Sequence, residues 1–254
     1  MPSEYDIIKT KVMFLKPNKL KNKLMKQYPF RIELHAHTYP ASSCSEFTPS
    51  ELVENYAKKG YAAIVITNHF TAEKTGKMKK EQCLNWYLND YCQAKEVGEK
   101  LGIKVLLGAE LRFKENHNDY LLFGADMEIL STCFEYLQTS LRTFRNEVKL
   151  KDSIIVQAHP FRDNCTPADA SLLDGVECFN MHYHHNERNA LTVKYAKEND
   201  IEIKTIGTDC HHPGQEGISA LRVAKLPSDS FELAKILKSG DYILEICDNS
   251  IILP

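Results

Sequence analysis

Apolar residues recur along the chain in two alternating rhythms. Short β-type runs are RIELHAH (31–37), YAAIVITNHF (61–70), IKVLLGAEL (103–111), DYLLFG (119–124), SIIVQAHPF (153–161), GVECFN (175–180), IEIKTIGTDCHH (201–212) and YILEI (242–246). Between them lie longer stretches of helical spacing: 48–60, 84–102, 128–149, 186–199 and 229–240. The first helix carries its own signals. Thr48 starts it, Pro49 suits its first turn, Glu51 completes a capping box and Gly60 ends it. Strands alternating with helices predict a parallel α/β architecture, and the length suits a barrel of about seven or eight strands. There are no repeats, low-complexity tracts or linker-like stretches, so residues 31–254 read as one domain.

The 254 residues, 43% of them hydrophobic, can bury one substantial core. Charge changes the picture more. Residues 1–30 hold seven lysines against Glu4 and Asp6, or +5, and the formal −2 of the whole chain leaves −7 for the remainder. That segment reads as a solvated, partly helical basic cap. The acidic body argues against general nucleic-acid affinity. No apolar stretch approaches the roughly 18 residues of a membrane span. The eight cysteines form no C-x-x-C pair and no dense framework, which fits reduced thiols in a cytoplasmic protein.

The polar residues that close the apolar runs carry the chemistry. His35 and His37 lie one residue apart, so on a strand they share a face, with Glu33 below them. Two adjacent imidazoles repel when both are charged, and a metal ion is one common way to make the pair favourable. A surface strand with two unrelated histidines is the plainer account of a lone H-x-H. Here, however, His69 closes the second run, Glu110 follows KVLLG, His159 follows SIIVQ, and Asp209 with His211 follows IKTIG in the same i, i+2 spacing. In α/β barrels the carboxyl ends of the strands build the active site, so these residues should converge on one face. Imidazole and carboxylate donors suit zinc, manganese or iron, whereas calcium wants oxygen almost exclusively.

The segments ELHAHT, IVITNHF, GAEL, AHPF and GTDCHH resemble, in order, the motifs of the PHP (polymerase and histidinol phosphatase) domain family, over roughly Arg31 to Gly217. The resemblance implies a distorted (β/α)7 TIM-like barrel with two or three divalent metals at the strand C-termini and hydrolysis of a phosphoester. Carried over, His35, His37, Glu110 and Asp209 bind a first metal. Glu110 bridges to a second, completed by His159 and by Asp119 in NDYLLFG, with His117 as the alternative. His69 and His211 hold a third. Glu110, His159, Asp209 and His211 are the residues expected to act in catalysis. The chain departs from the family in two places: Asn68 stands for an acid in IVITNHF, and Cys44 stands where an acid or histidine serves. Cys44 is either a thiolate ligand or a spectator.

Among the remaining candidates, Arg162 is placed either to grip a substrate phosphate or to pair with Asp163. Asn180 and His182 are expected at the substrate pocket. Glu177 is expected to fix a ligand histidine, and His212 to point away from the metals. The reading is a metal-dependent phosphoesterase acting on a small phosphomonoester, such as histidinol phosphate or a nucleotide or sugar phosphate, through metal-activated hydroxide. Its rivals are a nuclease or proofreading activity and a metal- or phosphate-binding regulatory module without turnover. The sequence leaves substrate, metal and oligomeric state open.

Overall fold

The computed structural model describes residues 17–247 and 250–254. A first helix, α1 (Pro17–Gln27), leads into β1 (Phe30–Ala36), and Leu24 and Tyr28 pack under Ile243 of a late strand. The latter half of the basic segment is therefore a docked helix, while residues 1–16 lie outside the described residues. The capping box is present as read: Thr48 accepts the Glu51 N–H, and the Glu51 carboxylate takes the Thr48 N–H at 3.0 Å. These contacts open α2 (Pro49–Lys58), which returns the chain to β2 (Ala63–Ile66), parallel to β1.

From β2 the chain runs on through Thr67 and Asn68 into β3 (His69–Thr71), then α3 (Ala72–Thr75) and the long α4 (Lys80–Leu101). β4 (Lys104–Leu107) continues in the same way through Gly108 into β5 (Ala109–Arg112), and β6 (Tyr120–Phe123) follows. The stretch 128–149 holds two helices, α5 (Met127–Tyr136) and α6 (Leu141–Glu147). Then come β7 (Ile154–Gln157), β8 (Gly175–Asn180), α7 (Asn189–Glu198), β9 (Ile203–Gly207), β10 (Ser219–Val223), α8 (Ser230–Ser239), β11 (Tyr242–Ile246) and β12 (Ser250–Ile252).

The strands form two six-stranded sheets, ordered β12-β11-β10-β1-β2-β4 and β3-β5-β6-β7-β8-β9. One seam is covalent, where β2 continues into β3 and β4 into β5. At the other, Ala36 bridges Cys210: the His37 N–H donates to the Cys210 carbonyl at 3.0 Å and the Cys210 N–H to that of His35 at 3.2 Å. Both sheets contribute to one apolar core that includes Ile32, Val65, Leu121, Val156, Ile206 and Leu221.

The expectation of an all-parallel arrangement needs correction. β6 is antiparallel to both β5 and β7, and β10, β11 and β12 form an antiparallel extension of β1. The physical reason at β5–β6 is the connection, residues 113–119, which contains no helix. A parallel return needs a crossover of a dozen or more residues, so this link can only reverse the chain.

Gly108 marks the seam where one strand run changes sheets. A Cβ there would lie 2.8 Å from Val65 Cγ1, 3.0 Å from Thr67 Cγ2 and 3.1 Å from the Leu122 carbonyl oxygen. Gly108→Ala is therefore expected to destabilise the protein by about 1–3 kcal/mol through overpacking. Chemical denaturation of the two proteins measures the difference, and equal midpoints would show that the seam is not tightly packed.

Candidate metal centre

The strand ends bring His35, His37, His69, Glu110, His159, Asp209 and His211 together in a largely buried pocket, and the second atoms of several fix how they are presented. His35 Nδ1 lies 2.9 Å from Glu177 Oε1, and His211 Nδ1 lies 2.9 Å from the Asp209 carbonyl oxygen. Both partners can only accept, so both Nδ1 atoms carry a proton and Nε2 is the nitrogen left for a metal. Against burial, Asp209 raises His35 well above its ordinary value and Cys44 raises His211, so a metal must displace a proton from Nε2. Ser42 Oγ sits 3.0 Å from His37 Nδ1 and accepts the His69 backbone N–H at 2.9 Å, tying those two ligand candidates to one turn.

Gly207 makes the first of these contacts possible. A Cβ at that position would overlap both Glu177 Oε1 and His35 Cβ. His159 and Asp209 hold left-handed backbone angles, with φ of 29° and 54°, immediately past their strands. Such conformations cost roughly 1–3 kcal/mol and persist where the surroundings over-determine them.

Apart from a hydrogen bond between His159 Nε2 and Glu110 Oε1, the inner ligand atoms are close without bonding one another. His35 Nε2 is 3.2 Å from Glu110 Oε1 and 3.3 Å from Asp209 Oδ1, and His37 Nε2 is 3.2 Å from Asp209 Oδ1. His69 Nδ1 is 2.6 Å from Glu110 Oε2. Even so, His35 Nε2, His37 Nε2, His69 Nδ1 and Glu110 Oε2 are all buried without a hydrogen bond. Buried polar atoms are almost always bonded, so four exceptions at one point call for an explanation. Donor atoms that are near yet misaligned face a common centre, as ligands around an ion do.

The donors fall into three overlapping sets: His35, His37 and Asp209; His69, Glu110 and Asp119; and His37, His69 and His211. Within each set the ligand atoms lie within 4.8 Å of one another. The donor chemistry fits divalent zinc, manganese or iron.

The electrostatics follow from the same crowding. Burial alone would raise the Glu110 carboxyl, but His69 and His35 pull it well below the usual range. Asp209 behaves likewise, with burial opposed by His35 and Arg162. Burial, His211 and His69 hold His37 well below its ordinary value, so it is neutral. Against burial, Glu110 raises His69, and Cys165 with Glu110 raises His159, each to about 10. Metal uptake must therefore displace protons from these imidazoles.

The other sequence candidates fare unevenly. His159 Nε2 reaches Glu110 Oε1 at 3.1 Å. Asp119 belongs to one donor set, and Arg112 grips both its oxygens, Nε donating to Oδ1 at 2.7 Å and Nη2 to Oδ2 at 2.5 Å, while His117 is exposed and belongs to no donor set among the described residues. Glu177 holds His35, as read. His212 turns outward to Glu46 at 3.2 Å. His182 is buried edge-on against His211, with centroids 5.4 Å apart, and burial pushes it down to about 3.

Two expectations are corrected. Arg162 does not pair with Asp163, which instead takes Arg188 Nη2 at 2.6 Å. Arg162 Nε donates to both Glu187 oxygens at 3.0 Å, and its Nη2 to Asp209 Oδ2 at 2.5 Å. Asn180, expected to contact substrate, has its side chain taken up by the site's own residues. It is 1% exposed and donates to Glu177 Oε2 at 2.9 Å and to Asp209 Oδ2 at 3.3 Å, which braces both carboxylates.

Sequence reasoning missed Ser42, Glu187 and Asp90. Asp90 reaches from α4 to the Thr38 hydroxyl at 2.8 Å, and Asn68 binds the same threonine, its Nδ2 donating to Oγ1 at 2.7 Å. An acid thus stands behind Asn68, though it arrives from a different element. Its signal was an aspartate in the apolar helical stripe of Cys83, Tyr87 and Ala94.

Comparison with known proteins agrees with this geometry. The family model described as "PHP domain" matches residues 33–206. A two-domain protein from Bacteroides vulgatus, containing a predicted PHP-like metal-dependent phosphoesterase, superposes with a TM-score of 0.61 at 14% identity, over 86% of this chain and 65% of its own. This chain therefore spans just under two thirds of that relative. PsfC from Pseudomonas syringae superposes with a TM-score of 0.55 at 15% identity, over 89% of this chain and 91% of its own. A comparison with curated proteins finds no match. With most of its length matched by the family model, and its buried donors at the strand ends where the motifs put them, the chain belongs to the PHP domain family, which includes metal-dependent phosphoesterases.

Proposed function

We propose that this protein hydrolyses a small phosphomonoester with two divalent metals at the buried donor sets, on a barrel formed by its two sheets. The observation that carries the reading is the convergence of four unbonded buried donor atoms on the pocket centre. His35, His37, Glu110 and Asp209 would hold one metal, and Glu110, His159 and Asp119 the other. When bound, such metals lower the pKa of water and offset charge on a phosphoryl group. The protein's own part is to hold these donors without reorganisation, through Glu177, Ser42 and Asn180.

Arg162 supplies the remaining cation. Glu187 and Asp209 fix one edge of its guanidinium, and Nη1 makes no hydrogen bond among the described residues, leaving that nitrogen to meet a phosphate oxygen. His182 lies beside His211 and is proposed to contact the substrate. The acidic body supports a small substrate over a nucleic acid.

Turnover of an aryl phosphate by metal-depleted protein, before and after addition of manganese or zinc, tests the reading; a labelled oligonucleotide run alongside tests the nuclease alternative. Restored turnover of the phosphate alone is expected. No turnover with any divalent metal, in protein shown to bind it, would leave a binding module.

His37 belongs to two donor sets, so His37→Ala should lower bound metal and turnover together. Changes behind a ligand typically cost 10–100-fold in affinity or activity, and loss of the ligand itself is expected to cost at least about a hundredfold. Elemental analysis and turnover of the same dialysed sample measure both; full activity at unchanged metal content would remove His37 from the site. Arg162→Ala should leave metal content intact and weaken competitive inhibition by inorganic phosphate, with lysine restoring only part, since it keeps the charge and loses the fork. Equal inhibition of wild type and alanine variant would make Arg162 a structural partner of Glu187 alone.

A further inference from the structure

Resting on the phosphomonoesterase reading above, and narrowing its substrate class, we propose that the alcohol released carries a second anionic group, a carboxylate or a further phosphate. Arg112 receives that group in a cavity beside the metal centre.

Strand geometry places the receiving side chain. On β5, Arg112 follows Glu110 by two residues, so both take the same face, about 6.5 Å apart along the strand. The neighbouring β3 repeats the step, with His69 beside Glu110 and Thr71 beside Arg112. The metal donors therefore sit one pleat deeper than Arg112 and Thr71. At the upper level lies a cavity of about 310 Å³, whose wall includes Thr71, Arg112, Lys114, Asn116 and His117. Its size suits a small polar group and the carbons that carry it.

Arg112 joins this cavity to the centre. Its Nε and Nη2 hold the two oxygens of Asp119 at 2.7 and 2.5 Å, and Nη1 makes no hydrogen bond among the described residues. The Arg112 side chain is 37% exposed, whereas that of Asp119 is 3% exposed. A guanidinium fixed along one edge, with a nitrogen to spare at a cavity wall, suits a carboxylate or phosphate oxygen. As a metal ligand Asp119 would share its charge with the ion, which leaves the guanidinium charge to be matched from the cavity.

The other charged groups of the wall point the same way. Lys114 and His117 are exposed there, and the acid, Glu73, is paired with Lys77 at 2.7 Å. Arg162 is tied to the donor set of Asp209 and Arg112 to that of Asp119, so a guanidinium serves each set. A substrate with one phosphate has use for one of them. A substrate with anions at both ends uses both.

Calorimetric binding of phosphonates to the manganese-loaded full chain tests this without turnover, because a carbon–phosphorus bond is not a phosphoester. Propylphosphonate carries one anionic group, phosphonobutyrate adds a carboxylate, and propylene diphosphonate adds a second phosphoryl group. Wild type is expected to bind one of the latter two at least about tenfold more tightly than propylphosphonate, the scale of one charge-assisted hydrogen bond. Which of them gains identifies the second anion. Arg112→Ala should bring the ratio close to unity, with bound metal counted in the same sample by elemental analysis. Lys114→Glu leaves Arg112 and Asp119 in place and should also lower the ratio; it decides the case if Arg112→Ala has lost metal. No preference in wild type, an unchanged ratio in metal-bearing Arg112→Ala, or an unchanged ratio in Lys114→Glu would overturn the proposal. A preference in protein that turns over no phosphate ester would keep the anion site at Arg112 and sink the hydrolytic reading. Turnover of glycerol phosphate with no such preference would do the reverse.

Discussion

Everything at the centre of this molecule is arranged around one electrostatic problem: carboxylates and imidazoles are crowded into a buried space where their facing atoms cannot satisfy one another. Glu110 is 1% exposed and lies within 3.5 Å of nitrogens from four histidines, yet one of its oxygens has no hydrogen bond. An arrangement of this kind is expensive unless something of opposite charge completes it. Divalent cations do so with the donors as they stand. The metal-free alternative is a set of protons on His69 and His159, which explains why those imidazoles are driven so far up.

The surrounding fold keeps those atoms from relaxing away. Glu33 lies beneath the pocket and accepts from the Leu34, His35 and Thr208 N–H groups and from the hydroxyls of Thr208 and Tyr56, which staples β1 to the chain after β9. Glu177, Asn180 and Arg162 form a linked layer that reaches Asp209 from the opposite side. The left-handed backbones of His159 and Asp209 turn these side chains inward from the ends of β7 and β9. Strain and buried charge thus occur at the same residues, as expected where binding determines the local structure.

Much of the site was legible because strand periodicity makes it so. In H-x-H spacing on a strand both side chains fall on one face, and strand ends in an α/β chain share one rim. His35, His37, His69, Glu110, His159, Asp209 and His211 are therefore expected together, although Asp209 reaches that rim through a left-handed backbone past β9 and not by strand alternation. What was not legible depends on long-range contacts. Whether Arg162 meets Asp163 or Glu187 is decided by where the loop before α7 falls, and local spacing carries no information on that. Asp90 lies mid-helix, 22 residues after Asn68, and meets Thr38 only through packing of α4. The antiparallel β6 was hidden for a related reason: an apolar run shows that a strand exists but not its direction, which here follows from the short link after β5.

The central claim is that the unbonded donor atoms are metal ligands. Crystallography of protein grown with zinc or manganese, with data collected on both sides of the metal absorption edge, tests it most directly. The account predicts anomalous density inside the pocket, with one peak contacted by His35, His37, Glu110 and Asp209 and another beside Glu110 and His159. Anomalous density confined to the surface, with Glu110 and the histidines still facing one another at full metal saturation, would contradict it.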